Sequence, residues 1–566
     1  MKKFFVLGVV LCSLTSYGQQ LDQIGKKGGV KVSGGVGMSN NFYVADGISN
    51  RLNPYSYVLS GNVNISLYGF SLPFSFAFSN QNFSYRQPFN IYGLSPTYKK
   101  WTFHAGYRNL SFSPYTLNGH NFLGGGVEYR GDKLSVAAMS GRLLKAVNYD
   151  STNANVLPSY SRMGGGIKVN YKAGSDEVFV VAFYAKDIVG SINEVPEVVG
   201  LRPQENMVWS IGGTKVLFEK LTLHAEGARS AWTRDVTTES DLKPSTLSSK
   251  LYFMPWKQST QVYTAFKANA TYDFSFMNLG AGYERVEPEY QTLGAYYFNN
   301  DLENITVNFS TALFQKKVNI SANGGLQRDD LNNQKASKMN RKVGSVNMGI
   351  VPSRRLNINL AYSNFYSFVN VKPVDVTFLQ NTIFADIDTL NYTQISQTVN
   401  GSVSYKLSEN DHISRTISVN SSLMSASNKQ GRSSFGNQMA NGNVMFNQSW
   451  KKSGISLGVN TNANQTSYEQ GNSLFVGVGV NAGAPVFKKK LRVSLSLNAN
   501  QNYEKDQLVA RLYSVSNTYS IRLGKKHSLS ANMRYSGRAK LGEASLGRYN
   551  ATFNEFMGAV GYNYTF

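Results

Sequence analysis

Cysteine is almost missing from this chain of 566 residues. The one thiol, Cys12, lies in the amino-terminal apolar segment, so cleavage after Gly18 would leave a mature chain with none. That excludes disulfides, thiol catalysis and cysteine-ligated metal. A lipidation site at Cys12 would want a small residue before it, and Leu11 stands there. Long apolar runs are missing too: beyond Leu14 nothing approaches the roughly 20 apolar residues of a membrane helix. Histidine is scarce, with only His104, His120, His224, His412 and His527. No two of them stand at i, i+4, and no HExxH, GxSxG elbow or phosphate-binding glycine loop is present. No enzyme activity, catalytic residue, metal site or cofactor is expected; a hydrolase-like grouping of His104 and His120 with Ser111 and Ser113 is disfavoured. Acidic residues are short, 34 against 57 basic ones, for a net charge of +23. Such an excess can mark nucleic-acid binding. Here the lysines and arginines come in pairs along the whole chain instead of one patch, and nucleic acid is not an expected partner.

What the chain does have is alternation. At the carboxyl end Phe556, Val560, Tyr562, Tyr564 and Phe566 fall on one side, with Gly558 among them, while Met557, Ala559, Gly561, Asn563 and Thr565 fall on the other. Successive strand side chains point to opposite faces, so this is a strand with one oily face and one small or polar face. Leu491, Val493, Leu495 and Leu497 alternate in the same way with Arg492, Ser494, Ser496 and Asn498. So do Leu356, Ile358, Leu360 and Tyr362 with Asn357, Asn359, Ala361 and Ser363. A soluble β-sandwich shows similar alternation, but it does not pack so many strands without a domain boundary. At the amino end Lys2 and Lys3 precede an apolar stretch to Leu14 and a small-x-small site at Ser16-Tyr17-Gly18, which reads as a secretory signal peptide.

Basic pairs punctuate the strands. Lys99-Lys100, Lys316-Lys317, Lys451-Lys452, Lys488-Lys489-Lys490 and Lys525-Lys526 each separate two alternating segments. Short breaks at Tyr68-Gly69, 130–132, 172–175, 218–220, 273–275, 353–355 and 408–411 do the same, giving roughly twelve tight turns. Between them lie longer connections at Ser39–Asn53, Leu143–Tyr160, Asp187–Glu205, Ala231–Ser259, Asn364–Leu390 and Ser425–Gln438. Short turns alternating with long loops, a strand near Gly28–Met38 and a last one at 554–566 predict an all-β fold. It is a single transmembrane antiparallel up-and-down β-barrel of about 26 strands, in a range of about 22 to 30. The expected organisation is a signal peptide at 1–18, a short periplasmic segment at 19–27 and the barrel at 28–566.

Two segments are chemically dense. The first, His104–Phe122, carries His104, Arg108, Tyr115 and His120 around a loop with Pro114 and Gly119. It reads either as a lumenal or rim site for a ligand, a partner or an inserted loop, or as a loop tucked into the barrel with its polar groups satisfied by neighbours. The second holds Glu284, Arg285, Glu287 and Glu289 around Pro288. Three carboxylates so spaced either hold a divalent cation or form a solvated loop face.

The last strand, ending on Phe566, resembles the closing strand of bacterial outer-membrane barrels. The runs Tyr92–Tyr129 and Gly282–Val307 and the Gln19 start resemble large outer-membrane barrels of the Bacteroidota type, a family without an assigned activity to carry onto particular residues. The resemblance implies outer-membrane lipid around the barrel and the barrel-assembly machinery as a reader of the carboxyl-terminal strand. It also makes conceivable a plugging or secretion-complex partner, as in the type 9 translocon.

Two functions follow as expectations. One is a passive channel or transport pore with a polar, basic lumen favouring anionic solutes. The other is a non-enzymatic structural or accessory component of an outer-membrane machine, whose lumen is filled by loops or a partner. The loops Ala231–Ser259 and Asn364–Leu390 are long enough to enter the lumen.

Overall fold

The computed structural model describes residues 30–80, 90–152, 156–193, 195–239, 252–332, 334, 340–368, 393–430, 433–468, 471–542 and 551–566. The signal segment 1–18 and the segment 19–27 lie outside these residues. The described strands form one antiparallel sheet of 27 pieces in chain order. Ile91–Leu94 and Thr97–Tyr98 both lie between Phe70–Ser79 and Trp101–Asn109, as one stave broken at Ser95-Pro96. The sheet therefore has 26 staves. It closes on itself: Lys31–Asp46 pairs with Phe553–Thr565 from Gly35↔Thr565 to Asp46↔Asn554. Closure leaves no unpaired edge, the condition for a sheet in lipid. At the seam the buried Glu555 accepts from Tyr43 Oη at 2.5 Å and Arg51 Nε at 2.9 Å, and the Phe566 N–H donates to Gly34 O at 3.0 Å.

All twelve short turns fall between paired strands, at one end of the ring. Several take left-handed backbone, as tight hairpins require: φ is 53° at Phe218, 52° at Phe314 and 49° at Phe487. The first strand runs to Asp46, so the connection expected from Ser39 shrinks to the residues after it. Ser425–Gln438 is not a loop either. Ile413–Gln430 and Ser433–Trp450 are 18-residue strands paired as far as Gln430↔Ser433. Serine and asparagine made this stretch look irregular, yet the ladder needs only backbone donors and acceptors. A spanning strand takes about 9–11 residues, so this hairpin projects well beyond the bilayer.

Register shows the two faces row by row. Ile358, Val403, Val419, Val444, Thr461 and Val478 stand side by side on consecutive strands. The neighbouring row, on the other face, reads Asn359, Ser402, Asn420, Asn443, Asn462, Gly477 and Asn500. The first row faces lipid and the second the lumen. Phe556, Val560, Tyr562, Tyr564 and Phe566 lie on the lipid side, as their alternation predicted. Rings gather there near the short turns: Phe70 stacks on Tyr98 at 4.0 Å, Trp101 meets Tyr129 at 4.8 Å, and Tyr564 meets Phe566 at 5.0 Å.

Candidate functional site

One stave departs from the alternation. In Asp176–Asp187 the run Val178–Ala185 is apolar on both faces. Val178 and Val180 are 55% and 41% exposed on the lipid side, while Val181, Phe183 and Ala185 on the lumen side are fully buried. Protein covers them. Leu110, Phe112 and Leu117, from the connection between Trp101–Asn109 and Asn121–Arg130, pack there with Leu293 from the connection after Met277–Val286. The two chemically dense segments thus fold into the lumen from the end opposite the short turns and meet.

Their contact is an interlock of backbone and side chain. Tyr290 Oη donates to Tyr115 O at 2.9 Å, Thr292 Oγ1 to Thr116 O at 2.7 Å, and Asn118 N to Gly294 O at 3.0 Å. Tyr115 Oη donates to Glu284 Oε1 at 2.7 Å. The His120 ring stacks on Tyr296 with centroids 4.0 Å apart, and Asn121 N donates to Tyr296 Oη at 2.9 Å. Tyr115, Thr116, Leu117, Tyr290 and Thr292 are all buried. The wall joins in. Lys168 Nζ donates to Phe112 O at 2.7 Å, Ser230 Oγ to Gln291 O at 2.6 Å, and Leu293 N to Asn206 Oδ1 at 3.1 Å. Burial raises the hydroxyl pKa of Tyr115 and Tyr290, so both stay protonated donors. Burial lowers His120 to about 4, which leaves it neutral at pH 7.

Glycines shape the wall beneath this insert. Gly93, Gly106, Gly124, Gly141 and Gly164 stand side by side across five staves, followed by Ala185. A Cβ at Gly124 would lie 2.1 Å from Ser140 O, so the row is a crease where backbones approach too closely for a side chain. The row draws one glycine from each of the triples Gly124-Gly125-Gly126 and Gly164-Gly165-Gly166. At Gly166 a Cβ would meet Ala182 O at 2.8 Å and the Phe112 ring at 3.0 Å, so the inserted loop rests on bare backbone.

The remaining candidates do not converge. His104 braces staves, with Nδ1 2.9 Å from Ser95 Oγ and Nε2 2.9 Å from Glu128 Oε1. Arg108 donates to Ser75 Oγ at 2.9 Å. Ser111 and Ser113 accept from Gly119 N at 2.9 Å and Tyr115 N at 3.2 Å, as turn braces away from His104. The three carboxylates do not form a cation site. Glu284 takes Tyr115, Glu287 accepts from Thr264 N at 2.6 Å, and Glu289 accepts from Tyr263 Oη at 2.7 Å and from Arg234. Among the described residues no cluster of His, Cys, Asp and Glu could hold a metal. Arg285 points to the lipid side of the rim, beside Glu303 at 3.3 Å, because neighbours in a strand face opposite ways.

Of the two loops expected to enter the lumen, the structure places one elsewhere. Ala231–Ser259 begins within the wall strand Leu221–Thr233, and its Tyr252 and Met254 lie outside the wall, covering Met207 and Ala231, which pair with each other on the lipid-side face. Asn364–Leu390 is strand as far as Phe368, and 369–390 lie outside the described residues. Sequence reading also missed Asn206, buried between Ser230 and Leu293. The signal that could have exposed the insert is the two-sided apolar run Val178–Ala185, since a wet lumen face would alternate.

No protein-family model and no curated protein matches the chain. Among solved structures it is similar to the translocation pore of the P pilus usher PapC, at 12% identity over 95% of this chain and 100% of that one, with a TM-score of 0.38. It is also similar to the ferric preacinetobactin receptor BauA of Acinetobacter baumannii, at 9% identity over 94% of this chain and 80% of that one, with a TM-score of 0.37. OccAB3 of the same organism aligns at 10% identity over 69% of this chain and 99% of that one, with a TM-score of 0.29. A closed antiparallel ring with an oily exterior and a polar interior suits a bilayer, and the described residues have the fold of an outer-membrane β-barrel.

Proposed function

We propose that the barrel is a passive pore for small hydrophilic solutes, narrowed on one side by the two interlocked loops. One contrast within the wall carries this reading. Where protein covers the lumen face, at Val181, Phe183 and Ala185, the wall is apolar. Across the staves from Val318–Arg328 to Gly471–Val486 it is asparagine, serine and glycine, as at Asn319, Gly349, Asn359, Ser402, Asn420 and Asn443. Amides and hydroxyls that line a lumen cost least when hydrated, so that sector is built for water. Purified barrel in planar bilayers should give stepwise conductance, and removal of Pro288–Asn299 should enlarge each step. Silence from both proteins would sink the pore.

A second reading has its own observation. Tyr297, on the inserted loop, is 94% exposed, and Phe253 outside the wall is 77% exposed. Rings so placed suit a covering protein and an accessory role in an outer-membrane machine, such as a secretion translocon or the barrel-assembly complex. A stoichiometric partner captured in mild detergent, and lost on Tyr297→Ser with Phe253→Ser, would favour it. Phe556, Val560, Tyr562, Tyr564 and Phe566 are proposed as the surface the assembly machinery reads.

A further inference from the structure

The lumen wall changes character once more, at the staves before the seam. Arg492 in Leu491–Glu504, Arg522 in Gln507–Leu523 and Arg534 in His527–Lys540 share the lumen face. Register proves the face: Arg534 pairs with Ser516, Ser516 with Ser496, and Ser496 with Asn481, all on the amide side. Arg492 stands opposite Ser520, which makes Arg522 its diagonal neighbour at about 7–8 Å. Both lie within two residues of a short turn, Phe487–Lys490 or Gly524–Lys526, so they flank the mouth at that end. Arg522 faces Ser528, and Arg534 lies six residues further along, about 20 Å up the wall. All three are exposed and, among the described residues, none reaches a carboxylate within ion-pair distance; Arg534 lies in electrostatic range of Glu555, which Arg51 holds, whereas Arg492 and Arg522 face no such group.

Like charges set side by side without a counter-charge are unfavourable. A fork of donors with no internal acceptor has its hydrogen-bonding capacity turned to the lumen. Elsewhere the barrel pairs its inward charges, as in Arg162 with Asp187 at 2.8 Å and Arg51 with Glu555 at 2.5 Å. We propose that Arg492 and Arg522 form an anion-binding clamp at the short-turn mouth, with Arg534 as the next station above it. The solute class would be small oxyanions bearing phosphate or carboxylate, which guanidinium groups bind in bidentate fashion. The inference rests on the pore reading and sharpens it: these side chains, not the net charge, set selectivity. Lysines such as Lys99, Lys316, Lys451, Lys488 and Lys525 sit on the short turns, between the strands they join.

Two measurements separate the proposals. In bilayers under a potassium chloride gradient, the intact barrel should show a reversal potential of anion-preferring sign. Arg492→Gln with Arg522→Gln should move it towards zero, and adding Arg534→Gln should move it further. Lys316→Gln with Lys317→Gln, on a distant turn, should leave it in place. Separately, titration of inorganic phosphate into the folded barrel in detergent should show heat of binding, weakened about tenfold or more in the double arginine variant, a loss of about 1.4 kcal/mol. Binding that is absent, or equal in the variant, overturns the clamp, as does a reversal potential that the variants do not move. Phosphate binding that is lost in the variant, with no conductance at all, keeps the clamp and overturns the pore.

Discussion

His120 and Tyr115 are where single side chains matter most. His120 is pressed between Tyr296 and the wall, with Nδ1 2.7 Å from Asn121 O, and burial lowers its pKa to about 4. A released loop would titrate near 6.5. Between those values the released state holds more protons, so the inserted state loses stability as pH falls from about 6.5 to about 4, by about 3 kcal/mol in all. Conductance that is constant from pH 8 to 7 should therefore rise on acidification below pH 6, and His120→Phe should abolish the rise. Tyr115→Phe removes the hydroxyl that Glu284 accepts and should weaken the interlock by about 1–3 kcal/mol. Faster proteolysis within 110–120 in intact, detergent-folded barrel would report it; an unchanged cleavage rate would contradict it.

Elements are governed by what stands beside them in register. The crease from Gly93 to Gly164 works because five neighbouring staves lack a Cβ at one level. Gly124→Val would push a side chain into Ser140 O, so the heat-resistant, fast-migrating form on gels should vanish. Gly324→Ala meets nothing within 4 Å and should leave that form intact. The triples announced themselves in the sequence by their rarity, but the row across strands did not, because its members are 13 to 23 residues apart and aligned only by pairing. That Ile91–Leu94 and Thr97–Tyr98 form one stave, broken at Ser95-Pro96, was hidden for the same reason.

The whole molecule depends on closure. Phe553–Thr565 must find Lys31–Asp46 across the full length of the chain, and Tyr43, Arg51 and Glu555 lock that seam. Deleting Phe566 removes the backbone bond to Gly34 O and the ring beside Tyr564. Barrel recovered in the outer-membrane fraction should fall several-fold, while purified protein folded in detergent should still reach the heat-resistant form. Equal failure in both settings would point to stability, not to recognition by assembly machinery.

Alternation with period two, lysine-marked turns and the oily carboxyl-terminal strand are local properties, and they determined the barrel, its approximate size and its lipid face. Each is written in consecutive residues. The interlock of Tyr115 with Glu284 and Tyr290, the glycine crease and the arginines at the mouth join residues far apart in the chain. Only strand register and the infolding of two loops bring them together, because contact across a barrel depends on which staves lie opposite, and no local pattern encodes that.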